Sequence, residues 1–275
     1  MRRKKITKII INLLLFVLAI ITLFPFVYII LIALGDNVIS TSTFIPKEFT
    51  FANFQKLFQE THFTNWLKNS FIIGIVTMII SVILVSVAVY VFSRLKFLGK
   101  QKLFNFFLLI QIFPLTLSMV SIFKIFVDFG LLNKTMGLII VDSTLASAGL
   151  IMLAKGFFDT IPYELDEAAM IDGANKLQIL VKITLPLAKP MLAIVAIQSF
   201  VIAYNEYTIA SAVMTTSVDS LPLAVGLQSI ISGQYGINWS LYCAGALIGS
   251  IPMIILFYAL QKYFIGGLTE GGVKL

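Results

Sequence analysis

Charge is scarce in this chain. Of its 275 residues only 12% are charged and 59% are hydrophobic, giving a mean hydropathy of +0.99. A soluble domain of that length must cover its surface with polar groups, so the soluble class is excluded and the chain belongs in a membrane. Cysteine occurs once, as Cys243 within an apolar stretch. It can form no intramolecular disulfide and reads as a small buried hydrophobe. Histidine also occurs once, as His62 near Trp66, without metal-ligand spacing around it. No G-x-x-x-x-G-K-S/T loop is present: Gly99 and Lys100 are followed by Gln101, and the upstream glycine is missing. The chain is therefore not expected to hydrolyse ATP. The formal charge of +7 does not indicate nucleic acid, because the basic residues lie between apolar blocks and not on a docking face.

What is abundant is apolar sequence in long runs. A helix needs about 20 apolar residues to cross the hydrocarbon core, since its backbone must satisfy its own polar groups there. Six segments meet this: Ile9–Leu34, Leu67–Phe92, Leu103–Val127, Gly137–Phe158, Met191–Val213 and Leu241–Ile265. The basic start MRRKK resembles a signal peptide, but the run after it is too long and no cleavage site follows, so it is read as a retained first helix. With the N-terminus inside, fifteen of the 20 Lys and Arg residues fall on the cytoplasmic side and five outside, a bias that places both termini in the cytoplasm. The expected fold is an all-α membrane protein with six transmembrane helices and a short cytoplasmic helix between the fourth and fifth. Residues 1–66 would hold the first helix and a long external loop, 67–265 a five-helix core with a charged loop at 159–190, and 266–275 a cytoplasmic tail. A second external loop, Met214–Ser240, carries one charge and enough apolar residues to dip toward the membrane or meet a partner.

The charged loop contains ELDEAAMIDGANKLQILVKITLP. Read as a helix from Glu164 to Ala174, it places Leu165, Ala168, Ala169 and Asp172 on one narrow face of mainly small residues, able to enter a groove closely. Gly173 ends the helix or takes a left-handed conformation, and Pro186 and Pro190 punctuate the return to the membrane. The spacing of Glu167, Ala168 and Ala169, then Gly173, then Ile183, Leu185 and Pro186 resembles the EAA loop of ABC importer permease subunits. That resemblance implies a coupling helix docked in a cleft of an ATP-hydrolysing subunit, with Leu165, Glu167, Ala168, Ala169, Asp172, Gly173, Ile183, Leu185 and Pro186 as coupling residues. The stretches NEYTIASAVM, LPLAVGLQSI and QKYFIGGLTEGGVKL look like the second permease subunit of maltose and maltodextrin importers. They imply that Gly271, Gly272 and Lys274 in the tail reach the ATPase subunits, and that the external loop contacts a sugar-binding protein. The implied partners are a second homologous permease, an ATPase dimer, an extracytoplasmic sugar-binding protein and membrane lipid, in a bacterial cell membrane. No cofactor belongs to this chain; ATP and Mg would be held by the ATPase.

Ionisable groups within a membrane are costly and mark pathways or helix contacts. Glu206 lies deep in the fifth span and Asp142 about one and a half turns from the outer end of the fourth, while Lys124 and Asp128 have the i,i+4 spacing of a local pair. Gln198, Asn205 and Glu206, with Tyr204 and Tyr207 nearby as stacking surfaces, form one polar side of the fifth helix; Gln111 precedes the distorting Pro114. These residues either line a sugar pathway or pack helices together. Pro25 and Pro252 are expected to kink their helices. A polyol or glycerol phosphate importer is an alternative within the class, and a secondary carrier using Asp142 or Glu206 as a proton site an alternative outside it. Matched inverted halves, expected of carriers, are not seen. Single cysteines placed at Lys100 and Gln234 are expected to label from opposite faces of the membrane; labelling from one face would overturn the six-span arrangement.

Overall fold

The computed structural model describes residues 2–35, 46, 48–112, 114–232 and 237–271. It is helical, with one isolated antiparallel bridge between Gly35 and Phe49 among these residues. Two compact units are formed, Met1–Thr64 with Gly226–Ile251, and Asn65–Val225 with Pro252–Leu275.

In the first unit, α1 (Arg2–Ala33) is apolar on all sides and presents Leu14, Phe16, Ile21 and Phe26 outward, as a helix surrounded by lipid does. Only its end is gathered into a core, where Ile32 and Ala33 pack with buried Cys243 and Ala244 and with Phe54 of α2 (Ala52–Glu60). The last carbonyls of α1 have no intrahelical donors. Asn53 resolves this by donating from Nδ2 to Ala33 O at 2.9 Å and Gly35 O at 2.8 Å.

The second unit is built on α3 (Phe63–Arg94, from Asn65 onward), α6 (Thr135–Phe158) and α10 (Lys189–Tyr204). Their shared core contains Val85, Val89, Ala146, Leu150, Ala154, Phe158, Met191 and Val195. Alanines at the crossing let the backbones approach, the usual solution where lipid supplies no hydrophobic drive between helices. Phe92 meets Phe104 and Phe107 of α4 (Lys100–Ile112) edge to face, with centroids 5.5 and 5.8 Å apart.

One expected span is broken. The segment read as Leu103–Val127 is α4 followed by α5 (Leu115–Asp128), meeting at 102°. Pro114 precedes the second helix, and its missing N–H accounts for the break. Among the described residues five helices are long and apolar enough to cross a membrane, and the bent pair brings the total to six if it forms one span. The segment read as Met191–Val213 is still one apolar span, Lys189–Val213, within which α10 gives way to α11 (Thr208–Val213). After α12 (Leu223–Ile231) comes α13 (Trp239–Gly271); it runs on through Pro252, as α1 does through Pro25.

Gly137 marks a close approach within the second unit: a Cβ there would lie 2.5 Å from the Phe126 ring and 3.1 Å from Leu131 Cβ. Gly137→Val is expected to destabilise the protein by about 1–3 kcal/mol through overpacking. Gly156→Ala, where a Cβ meets nothing within 4 Å, should be neutral or gain about 0.5–1 kcal/mol. Unfolding midpoints in detergent measure both.

Candidate functional site

The loop between α6 and α10 is ordered by local rules from end to end. Glu164, Asp166 and Glu167 crowd the first turn of α7 (Glu164–Ile171), where acidic groups complement the helix dipole. The helix stops three residues short of the expected Ala174 because Gly173 takes φ +84°. Gly173 N–H then donates to Met170 O at 3.1 Å and Ala174 N–H to Ala169 O at 2.9 Å. This is the paired closure that a left-handed glycine permits. Asn175 next starts α8 (Lys176–Ile179) with a reciprocal cap: its Oδ1 accepts from Gln178 N–H and its own N–H donates to Gln178 Oε1, both at 2.9 Å. A wide π turn over Leu180–Thr184 and the short α9 (Leu185–Leu187), with Pro186 in its first turn, lead into α10.

Burial divides the residues that the sequence grouped together. Leu165, Ala168 and Asp172 are exposed, as are Glu167, Gly173 and Pro186. Ala169 is not: it packs against Tyr90, Ile179 and Leu180, with Ile183 and Leu185 half-buried around them. The expected four-residue face is therefore split, and Ala169, Ile183 and Leu185 hold the loop to its own chain. The apolar side chains α7 and α8 present outward include Met170, Ile171 and Leu177, with Ile171 86% exposed. Sequence reading passed over these three, although consecutive apolar residues in so charged a stretch were a signal.

A buried ion pair fixes the orientation. Arg94, at the end of α3, brings Nε within 2.9 Å of Asp166 Oδ2, with both side chains 6% exposed or less. Nε is not aligned for a hydrogen bond; the directional bond runs from Arg94 Nη2 to Ile161 O at 2.8 Å. The guanidinium also lies 5.8 Å from the Tyr163 ring centroid. Burial pushes the Asp166 carboxyl above its ordinary value while the Arg94 charge pulls it back. Sequence reading used Arg94 only as a topology charge, and no local period connects residues so far apart in the chain.

Within the second unit, a cavity of about 320 Å³ is lined by Asp142, Asn205, Glu206, Tyr207 and Thr208 with apolar neighbours such as Leu115 and Ile202. Asp142 is 1% exposed and its Oδ2 has no hydrogen-bond partner among the described residues. Glu206 sits in the gap between α10 and α11, and its carboxylate accepts N–H from Ile209 at 2.7 Å and Ala210 at 2.8 Å. It therefore caps α11. Asn205 Nδ2 turns back to Val201 O at 3.0 Å. Tyr204 is buried and stacked on Phe200 at 5.2 Å, so its ring belongs to internal packing and does not offer the expected stacking surface. Tyr207 is exposed at this cavity. Gln198 is exposed away from it. Gln111 lines a separate, larger cavity of about 980 Å³, apolar in most of its lining, and donates to Ala148 O at 3.0 Å. Lys124 and Asp128 pair at 2.9 Å as their spacing predicts. In the tail, Gly271 closes α13, whereas Gly272 and Lys274 lie outside the described residues.

Comparison with known proteins places this architecture. Residues 95–269 match the model of the binding-protein-dependent transport system inner membrane component. The chain belongs to that family and is a multi-pass permease subunit of the ABC transporter class in the bacterial cell membrane. Among its relatives is the maltodextrin transport system permease protein MdxG of Bacillus subtilis, 39% identical over 82% of this chain and 81% of that protein. The galactooligosaccharides transport system permease protein GanQ of the same organism is 37% identical, over 87% and 85%. Among solved structures, a chain of a bacterial ABC transporter involved in the import of the acidic polysaccharide alginate superposes with a TM-score of 0.79 at 26% identity. It covers 96% of this chain and 98% of that one.

The cap at Glu206 yields a prediction. Glu206→Gln retains a single acceptor oxygen, so one of the two bonds to α11 is lost, costing about 1 kcal/mol; Glu206→Ala loses both and should cost about twice that. Unfolding midpoints of the two purified variants in detergent should fall in that order.

Proposed function

We propose that this chain is one of two homologous permease subunits of an importer for neutral oligosaccharides of the maltodextrin type. In this reading α7 docks in a groove of an ATP-hydrolysing subunit, which holds ATP and Mg, and an extracytoplasmic binding protein delivers the sugar. Closure of the ATPase pair displaces the α7 loop and rocks the spans between inward- and outward-open forms. The observation that carries this is the loop itself: a short helix fixed to its own chain by Ala169 and the Arg94–Asp166 pair, turning Leu165, Ala168, Met170 and Ile171 outward. A solvated connection has no reason to hold an apolar, small-residue edge so rigidly.

A neutral cargo is favoured over an acidic one by the cavity that Asp142 and Glu206 line, since it offers no cation to an anionic ligand. Glu206, Asn205 and Tyr207 remain pathway candidates on that wall, and Gln111 on the larger cavity. Gly271, Gly272 and Lys274 are assigned to the ATPase contact, and the Met214–Ser240 loop to the binding protein, on the family resemblance.

Ala168→Asp tests the docking directly. A carboxylate introduced at the buried contact is expected to cost about 3–5 kcal/mol, weakening ATPase binding by more than about a hundredfold. Gly173→Val acts differently, by straining the left-handed turn that ends α7. Purified complexes carrying either change should show lost ATPase subunits or hydrolysis without uptake. Normal coupled sugar uptake in Ala168→Asp would mean that the loop docks nothing.

A further inference from the structure

α3 is gripped at both of its ends by distant parts of the second unit. At one end Arg94 pairs with Asp166 and donates to Ile161 O, while Tyr90 one turn back packs against Ala169, Ile179 and Leu180. At the other end Trp66 Nε1 donates to Val218 O at 2.7 Å and Asn65 Nδ2 to Asp219 Oδ1 at 2.9 Å. Asn69 Nδ2 reaches Asp219 O at 2.8 Å and Leu221 O at 3.1 Å, and Ser70 Oγ accepts from Leu223 N–H at 2.8 Å. Three backbone carbonyls of the 218–223 segment are thus bonded by side chains of α3, so the segment is bound to move with the helix end. Between the grips α3 has no proline, and its single glycine, Gly74, is closed off by the Phe200 ring, 2.7 Å from where a Cβ would stand. At 1.5 Å per residue, Asn65 and Arg94 are about 44 Å apart, the depth of a bilayer with its headgroups.

We propose that α3 is a transmission rod that ties the position of the α7 loop to that of the 218–223 segment at the opposite end of the helix. Displacing α7 then moves the 218–223 segment, and a partner that presses on this segment is felt at α7, since coupling between two sites is reciprocal. This rests on the reading that α7 docks on the ATPase. It adds a route through α3, which is not adjacent to α7 in sequence, to whatever force passes along α6 and α10. Arg94, Asp166, Asn65 and Asn69 are positioning residues in this device.

The test places a single cysteine at exposed Thr216, with Cys243→Ser, and labels it with an environment-sensitive fluorophore in the full complex in lipid vesicles. Trapping with ATP and orthovanadate should change the emission. Asp166→Asn at one grip and Asn69→Ala at the other should each reduce that change about tenfold, and the charge exchange Arg94→Asp with Asp166→Arg should restore it. ATPase content is measured in the same samples. Full response in both single variants overturns the rod. So does loss of the ATPase from Asp166→Asn together with full response in Asn69→Ala, which would assign the ion pair to docking alone. If Asp166→Asn fails to fold, Asn69→Ala decides the matter. Failure of the docking reading is separately visible, as normal coupled sugar uptake in Ala168→Asp.

Discussion

Lipid offers the backbone no hydrogen bonds, and the described architecture follows from that constraint. An unbroken helix meets it by geometry, which is why α1, α3, α6 and α13 are long and continuous. Wherever a helix ends or breaks near the membrane, side chains have to take over. Asn53 bonds the last carbonyls of α1, Glu206 takes the first N–H groups of α11, and Asn205 turns back onto α10. At these three places polar side chains of an otherwise apolar chain bond to backbone at a helix end.

The Arg94–Asp166 pair follows a different logic. Removing two charges from water costs several kcal/mol per ion and is offset only by close geometry and added hydrogen bonds. Here the pair gains the Ile161 carbonyl and the Tyr163 ring face, while Asp166 Oδ1 has no hydrogen-bond partner among the described residues. A hydrophobic contact between α3 and α7 would have supplied affinity at lower cost. What charge adds is a defined register, because α7 cannot turn about its axis without separating the ions. That register decides which residues of α7 face outward, and hence that Ala169 faces in while Met170 and Ile171 face out.

Legibility in the sequence followed the range of the interactions. The apolar runs, the Gly173 terminus and the Lys124–Asp128 pair depend on neighbours a few residues away, and they were readable. The division of the α7 face was not, because helical period gives relative angles and not the direction of the core; that direction is set by Tyr90 and Arg94 on another helix. Nor was the role of Tyr204: an aromatic beside polar residues reads as a sugar platform until Phe200, one turn earlier, takes its face. The break at Asn205–Tyr207 was not read either, although an Asn inside an apolar run competes for the backbone.

That break also explains how a membrane-embedded unit comes to contain a polar cavity. A continuous α10 would bury its amides and carbonyls in its own ladder. Stopping at Tyr204 and restarting at Thr208 opens space beside Asp142, and Glu206 satisfies the new helix start while its residue still lines the cavity. Two carboxyl groups, of Asp142 and Glu206, then stand on the wall of one small cavity. The alginate transporter chain shares the fold over nearly the whole length. That likeness is one of helix arrangement, which does not by itself fix the side chains set around such a break.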